Sequence, residues 1–399
     1  MGKSIFILSG EESGDQHGAS LMAALKRVMP GISIKGMGGV KMREAGLEGL
    51  DSRDISVVGI TEVIEKFPTI LKAFGLLKKR LKAERPDAVV LIDFPDFNLR
   101  FGKEAKKLGI PVIYYISPQV WAWRKGRVSD IKGLVDKMLV VFPFEEKIYR
   151  KAGVDVEYVG HPLADTAICA LSKEEARTTL GIPPKKTVIA LLPGSRTAEV
   201  KRLLPPMLQA ASIIKDGIAA PQNRGSQEAG DEPIFLLLAA GSISDGLVGS
   251  ILKGPSHEVR VVRDAVYTAL RASDAAVVAS GTATLETALI GTPMVIVYKT
   301  SSLTYAVAKA LVGVDYIGLP NIIAGEKIVA ELIQGAASAG NIARETLDIL
   351  NGPGRKDAII QGYGIIRKRL RPGAPQKAAE AIKKVITRTS WLRGHTGPP

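Results

Sequence analysis

An α/β fold with two doubly wound parallel sheets is predicted by three features of this sequence. Eight short apolar runs alternate with stretches of helical periodicity, each run is closed by glycine, proline or polar residues, and 399 residues suffice for two cores of roughly 150 to 200 residues each. The runs are Ser4 to Leu8, Ala88 to Ile92, Val112 to Ile116 and Lys137 to Phe142, then Val188 to Leu192, Ile234 to Ala239, Ala275 to Ala279 and Met294 to Tyr298. Brief, continuous apolar runs are the pattern of strands covered on both faces. The first four predict one sheet and the last four a second. Gly160 to Leu171, with His161-Pro162, is the expected linker between an N-terminal domain, 1–165, and a C-terminal domain, 166–370. The polar insert 216–232 is expected to be a disordered surface loop and 388–399 a flexible tail.

Composition narrows the functional classes. The 54 basic and 40 acidic residues give a net charge of +14, which suits a phosphorylated substrate, an anionic membrane or nucleic acid. The single cysteine, Cys169, allows no intrachain disulfide, and four scattered histidines supply no metal-ligand spacing. No window approaches the roughly 18 apolar residues needed to span a bilayer. The N-terminal apolar run reads as a first strand, not a signal peptide.

In doubly wound sheets ligands gather beyond the carboxyl ends of the strands. There the chain carries Ser13, Gly14 and Asp15 after the first strand, suited to a polyhydroxylated ligand or to capping a helix. Asp93 closes the strand Ala88 to Ile92 and can act as a general base; Asp96 follows it and can cap the next helix. Gln119, Trp121 and Trp123 follow the third strand, able to stack on a sugar or simply to pack. In the second half, Pro193-Gly194-Ser195-Arg196 turns from strand to helix and is a plausible diphosphate seat. A second such turn, Ser280, Gly281 and Thr282, is followed one helical turn later by Glu286, which can accept from ribose hydroxyls. The two turns together point to a nucleoside diphosphate. Ile60 to Leu81 carries an apolar stripe including Ile64, Phe67, Ile70 and Leu71, interleaved with lysines; it fits a core-facing helix or a membrane-surface one. Pro68 is expected to break or restart that helix.

At SGEESGD (9–15), IDFPDFN (92–98), SPQVWAWR (117–124), PFE (143–145), GHP (160–162), LLPGSRTAEV (191–200), ASGTATLE (279–286) and LPNIIAG (319–325) the chain resembles the lipid-A-disaccharide synthases. These are inverting glycosyltransferases of the GT-B fold. The resemblance implies two Rossmann-like domains facing a cleft, with a last helix at about 376–387 returning to the N-terminal domain. It implies UDP-2,3-diacylglucosamine as donor, 2,3-diacylglucosamine 1-phosphate (lipid X) as acceptor, and a β(1→6)-linked disaccharide 1-phosphate plus UDP as products. Asp93 matches the family's base. Ser195, Arg196, Ser280, Gly281, Thr282, Glu286 and Asn321 fall in its UDP-binding segments, while Ser13, Gly14, Asp15, Asp96, Gln119, Trp121 and Trp123 would line the substrate cleft. Ile64, Phe67, Ile70 and Leu71 would meet acyl chains or membrane. The protein would sit peripherally on the cytoplasmic face of the inner membrane, using no metal and no cofactor, with homodimerisation left open. Two rival readings are a UDP-N-acetylglucosamine epimerase of similar architecture and a basic nucleic-acid-binding protein; the second lacks any recognition motif.

Overall fold

The structure, a computed structural model, describes the chain except residues 1, 11, 53–59, 119–126, 220–231, 253–258, 301–314 and 396–399, and except, for side chains, also 12, 60–66, 127, 219 and 389–395. The chain divides into two compact units, one of Met1–Asp165 with Leu370–Pro399 and one of Thr166–Arg369.

The first unit holds a seven-stranded sheet of β1 (Ser4–Ser9), β2 (Ser33–Gly38), β3 (Glu48–Asp51), β4 (Ala88–Ile92), β5 (Val112–Tyr115), β6 (Lys137–Val140) and β7 (Val156–Tyr158). Every pairing is parallel and the order is β3-β2-β1-β4-β5-β6-β7. Alternation along the strands separates two apolar faces. Phe6, Leu8, Val89, Leu91 and Tyr114 pack with Leu77 and Leu81 of helix Ile60–Glu84 and with Phe97 and Phe101 of helix Pro95–Lys107. Helix Glu12–Val28 packs against β1, β4 and the C-terminal helix Ala374–His395. Lys383 donates to the Val28 carbonyl at 3.0 Å, capping the end of that first helix.

The second unit repeats the plan with β8 (Val188–Leu192), β9 (Ile234–Leu238), β10 (Val259–Val262), β11 (Ala275–Ala279), β12 (Met294–Tyr298) and β13 (Glu331–Ile333), all parallel, in the order β10-β9-β8-β11-β12-β13.

Three expectations are corrected. Helix Ile60–Glu84 continues through Pro68, because Ile70, Phe74, Leu77 and Leu81 all pack on the core and that packing overrides the local cost of one missing N–H. The C-terminal helix extends to His395, so the flexible tail expected from 388 is helical over most of its length. The polar insert does not begin at 216: residues 216–219 finish helix Thr197–Ala219, and Glu232 pairs with Lys215 at 2.7 Å. The remainder, 220–231, lies outside the described residues.

Candidate functional site

In each unit the strand order reverses at one place, between β1 and β4 and between β8 and β11. Crevices open at the carboxyl ends of such strand pairs, where successive connections leave in opposite directions. Ser9 and Ile92 are register partners across the first pair, and Leu192 follows the residue paired with Val277 across the second. Asp93 therefore leaves β4 at one reversal, and the 193–196 and 280–282 turns leave β8 and β11 at the other.

Asp93 sits on a strained elbow. Its φ is 48° and that of Phe94 is 46°, both left-handed without being glycine, a conformation that costs on the order of 1 kcal/mol or more per residue and persists only where surroundings impose it. The imposing groups are clear. The Asp93 carbonyl accepts from Asn98 Nδ2 at 2.7 Å and from the Tyr114 hydroxyl at 2.6 Å. Asn98, fully buried, also donates to the Ile92 carbonyl at 3.1 Å. Phe94 leans over Gly10 so closely that a Cβ there would lie 2.4 Å from its ring, and it stacks on Phe97 at 5.5 Å. These contacts fix the backbone of the elbow at a half-buried Asp93. Nothing in the sequence alone marks Asn98 and Tyr114 as its clamps.

Around this elbow the sequence candidates divide. Ser13 is exposed and Asp96 is exposed in the first turn of helix Pro95–Lys107. Gly14 is buried against Ser9, whose hydroxyl would be 2.4 Å from an added Cβ, so its role is close packing. Asp15 is a correction to the cleft assignment, in favour of the helix-cap alternative: it is 6% exposed, and its carboxylate accepts from the Lys41 and Met42 N–H groups at 2.9 and 3.0 Å. It caps helix Val40–Glu44, 26 residues away, rather than meeting a substrate. Gln119, Trp121 and Trp123 lie outside the described residues. In the PFE motif Glu145 is structural, accepting from Ser117 Oγ at 2.6 Å and from the Phe142 N–H at 3.2 Å.

His161, of the GHP motif, is buried, its Nδ1 accepts from the Leu163 N–H at 3.1 Å, and its ring lies 5.0 Å from that of Phe142. Burial and the neighbouring His17 push its pKa down to about 3. Burial and the charge of Lys41 push His17 down to about 4. Both are neutral at pH 7. Between their unfolded value near 6.5 and these folded values the unfolded chain binds more protons, so stability is lost as pH falls. At pH 5 the loss is about 2 kcal/mol per histidine. Glu84, Glu104 and Glu175, whose pKa values are lowered, keep their stabilising contribution down to their unfolded value near 4.5 and lose it only below that pH. Melting temperature is thus expected to fall from pH 6.5 to 5, with a shallower slope in His161→Asn, whose amide oxygen can still accept from Leu163. An equally steep slope in that variant would assign the acid sensitivity elsewhere.

In the second unit, Gly194 (φ 110°) bends the chain after β8. The Ser195 and Arg196 N–H groups converge on one oxygen of Glu199, each at 3.3 Å, while Arg196 Nη1 meets the other at 3.1 Å. The turn therefore already holds a carboxylate where the sequence suggested an anion. Ser242 Oγ donates to the Ser195 carbonyl at 2.8 Å and braces the turn. Arg196 is 63% exposed and available to a ligand. Helix Thr282–Ile290 starts at Gly281 with no side-chain cap, leaving first-turn N–H groups to an anion; Gly281 and Thr282 are exposed there. Ser280 is otherwise engaged, its N–H on the Val297 carbonyl at 2.9 Å and its hydroxyl on the Ile317 carbonyl at 3.1 Å. Glu286, half-buried, accepts from the Tyr267 hydroxyl at 2.7 Å, and burial raises its pKa. Tyr267 was not legible as part of this wall.

Asn321 is the second correction. It is fully buried, donates to the Val329 carbonyl at 3.0 Å and to Glu331 Oε1 at 2.8 Å, and accepts from the Ile328 and Val329 N–H groups at 2.9 and 3.1 Å. These bonds tie the 319–324 turn to residues 328, 329 and 331, at the entry to β13, and they use every donor and acceptor of the side-chain amide.

The basic stripe splits lengthwise. Leu77 and Leu81 are core, Ile70 and Phe74 are half-buried against it, and Phe67 and Leu71 are 50% and 54% exposed; the Ile64 side chain lies outside the described residues. Phe74 meets Phe97 edge-on at 5.4 Å, so an aromatic chain connects this helix to the Asp93 elbow. Lys78 is tied to Glu104 at 2.7 Å, leaving Lys72, Lys79 and Lys82 exposed beside the apolar pair. Among the described residues no helix is long and apolar enough to cross a membrane, and no three His, Cys, Asp or Glu side chains cluster as metal ligands.

The chain matches the family model described as lipid-A-disaccharide synthetase over residues 5–385. It is 49% identical to a lipid-A-disaccharide synthase of Syntrophus aciditrophicus over 97% of this chain and 99% of that one, and 44% identical to that of Geobacter sulfurreducens over 95% and 96%. Its fold resembles a putative UDP-N-acetylglucosamine 2-epimerase from Listeria monocytogenes (TM-score 0.61, 14% identity, 98% of both chains) and MurG of Acinetobacter baumannii (TM-score 0.58, 14% identity, 96% and 100%). At such identities these two likenesses speak for the shared two-sheet GT-B architecture alone.

Proposed function

The chain belongs to the lipid-A-disaccharide synthetase family, and on that premise we propose that it is an inverting glycosyltransferase joining UDP-2,3-diacylglucosamine to 2,3-diacylglucosamine 1-phosphate through a β(1→6) linkage. The observation that carries the reading is the Asp93 elbow, whose main-chain carbonyl is held by Asn98 and Tyr114 at the point where the first sheet reverses.

Asp93 takes the proton from the acceptor's 6-hydroxyl as that oxygen attacks the donor's anomeric carbon from the face opposite UDP. The C–O bond to the diphosphate breaks as the new one forms, which inverts the centre. Charge growing on the departing diphosphate is met by Arg196, by the Ser195 and Arg196 N–H groups once Glu199 yields them, and by the open first turn at Gly281 and Thr282. Glu286, steadied by Tyr267, accepts from the ribose. The Asp93 elbow, fixed by Asn98 and Tyr114 before the substrates arrive, needs little reorganisation of its own during the reaction.

Purified protein given both acylated sugars should yield the disaccharide 1-phosphate and UDP in equal amounts, identified by mass, with a β coupling at the new anomeric carbon. Interconversion of UDP-N-acetylglucosamine with its 2-epimer, without disaccharide, would select the epimerase instead; that rival gives no use to an apolar helix beside the base.

The acyl chains place both substrates at a membrane, and we assign Phe67, Leu71 and the exposed lysines to its surface, on the cytoplasmic face of the inner membrane. Replacing Phe67 and Leu71 together with Ser should weaken binding to anionic vesicles and raise the acceptor KM. Melting temperature should stay nearly unchanged, since half-exposed side chains give up little burial. The three lysines add about 1 kcal/mol each near such a surface. Sedimentation with vesicles undiminished in the double variant would remove this helix from the membrane contact.

A further inference from the structure

The second unit carries a cavity of 230 Å³ at the end of its sheet opposite the nucleotide turns. Its wall includes Arg177, Lys185, Lys186 and Lys356, with Asn351 and a single carboxylate, Asp274. Thr187 and Asp274, which immediately precede β8 and β11, fix its position. The turns at 193–196 and 280–282 leave the same two strands at their other ends, roughly 17 Å away at the usual rise per residue.

The charges here do not balance. Asp274 accepts from Arg177 Nη2 at 2.9 Å and from the Val188 N–H at 2.8 Å, and Lys173 holds its other oxygen. Its charge is thus shared by two cations already. Lys185 and Lys356 form no ion pair among the described residues. Arg177 is no solvated surface group: its side chain is 9% exposed, with Nε on the Ala272 carbonyl at 3.1 Å and Nη1 on the Pro184 carbonyl. Its planar fork is thereby fixed at the cavity wall, with N–H groups to spare. Helix Arg355–Arg369 brings its positive end through Lys356, and helix Ala339–Asn351 its negative end through Asn351. These two termini offset one another, so the side chains decide the sign.

We propose that this cavity binds a phosphate-bearing anion, as a site separate from the sugar-nucleotide turns. A guanidinium locked in place and lysines on the same cavity wall suit the tetrahedral, multiply charged phosphate better than a carboxylate. The volume of 230 Å³ accommodates a diphosphate or a phosphomonoester headgroup.

The test titrates the full chain with pyrophosphate against sodium chloride of equal ionic strength, reading melting temperature and heat of binding. The wild-type protein and Arg196→Ala should both show a saturable rise in melting temperature, and Lys185→Ala/Lys356→Ala should bind at least tenfold more weakly. Both lysines are exposed, so the double variant is expected to melt normally without ligand. No saturable shift, or one that survives in the lysine variant and vanishes in Arg196→Ala, would overturn the proposal. Flotation with phosphatidic acid vesicles, run in the Phe67→Ser/Leu71→Ser background so that helix Ile60–Glu84 does not dominate the membrane contact, distinguishes the source: loss of the residual flotation on adding the two lysine substitutions identifies a lipid phosphate, and unchanged residual flotation with weakened pyrophosphate binding identifies a free one.

Discussion

Asp93→Asn is expected to slow sugar transfer by about 10²- to 10⁴-fold, the range general-base catalysis supplies, while UDP affinity and melting temperature stay close to wild type. The substitution suits the question because of the backbone. At φ 48° most residues would add strain, but asparagine tolerates the left-handed region well. The carbonyl bonds from Asn98 and Tyr114 belong to the main chain and are untouched. What changes is one ability: the amide cannot accept the hydroxyl proton. Asp93→Ala would confuse loss of the base with loss of the elbow. The readouts are steady-state turnover with saturating acceptor, UDP binding by calorimetry, and thermal melting on the same samples. Turnover within a few-fold of wild type would remove Asp93 from the proton transfer and with it the mechanism proposed above.

The sequence made the central strands legible because they are apolar throughout: Ala88–Ile92 and Val188–Leu192 are buried at every position. β3, β7, β10 and β13 were not legible. Glu48–Asp51 and Val259–Val262 lie at sheet edges with no fully buried residue, so no continuous run exists to find. β2, Ser33–Gly38, is obscured by its glycines, which break any continuous apolar run. Gly36 is a strand residue whose Cβ would lie 2.1 Å from the Ile7 carbonyl oxygen.

The site divides in the same way. Position at a strand's carboxyl end is what makes Asp93 and Arg196 candidates, because parallel topology alone brings such residues to the edge where the strand order reverses. Direction within a loop is set by tertiary contacts that spacing does not encode. Asn321 turns inward to serve Val329 and Glu331, and Asp15 reaches across to another helix. Asn98 and Tyr114 act through a main-chain carbonyl, which leaves no pattern in side-chain chemistry.

Arg196→Ala is expected to weaken UDP binding by about tenfold and to lower turnover by about 10²-fold. The two effects differ because the guanidinium is 63% exposed, so solvent screens its attraction for the bound diphosphate, whereas charge developing in the transition state raises its worth. Glu199 adds a second consequence. In the free protein it holds Arg196 at 3.1 Å and also occupies the Ser195 and Arg196 N–H groups. A diphosphate entering the turn displaces that carboxylate, and in Arg196→Ala no guanidinium offsets the repulsion between them. Adding Glu199→Gln should therefore recover part of the UDP affinity lost in Arg196→Ala while leaving turnover low. The neutral amide still accepts from the turn's N–H groups but no longer repels the ligand. Calorimetric UDP binding and single-turnover rates across the four proteins of this cycle separate the two roles. If affinity falls further in the double variant, Glu199 supports the bound turn rather than competing for it. Unchanged binding and rate in Arg196→Ala itself would move the diphosphate anchor away from this loop.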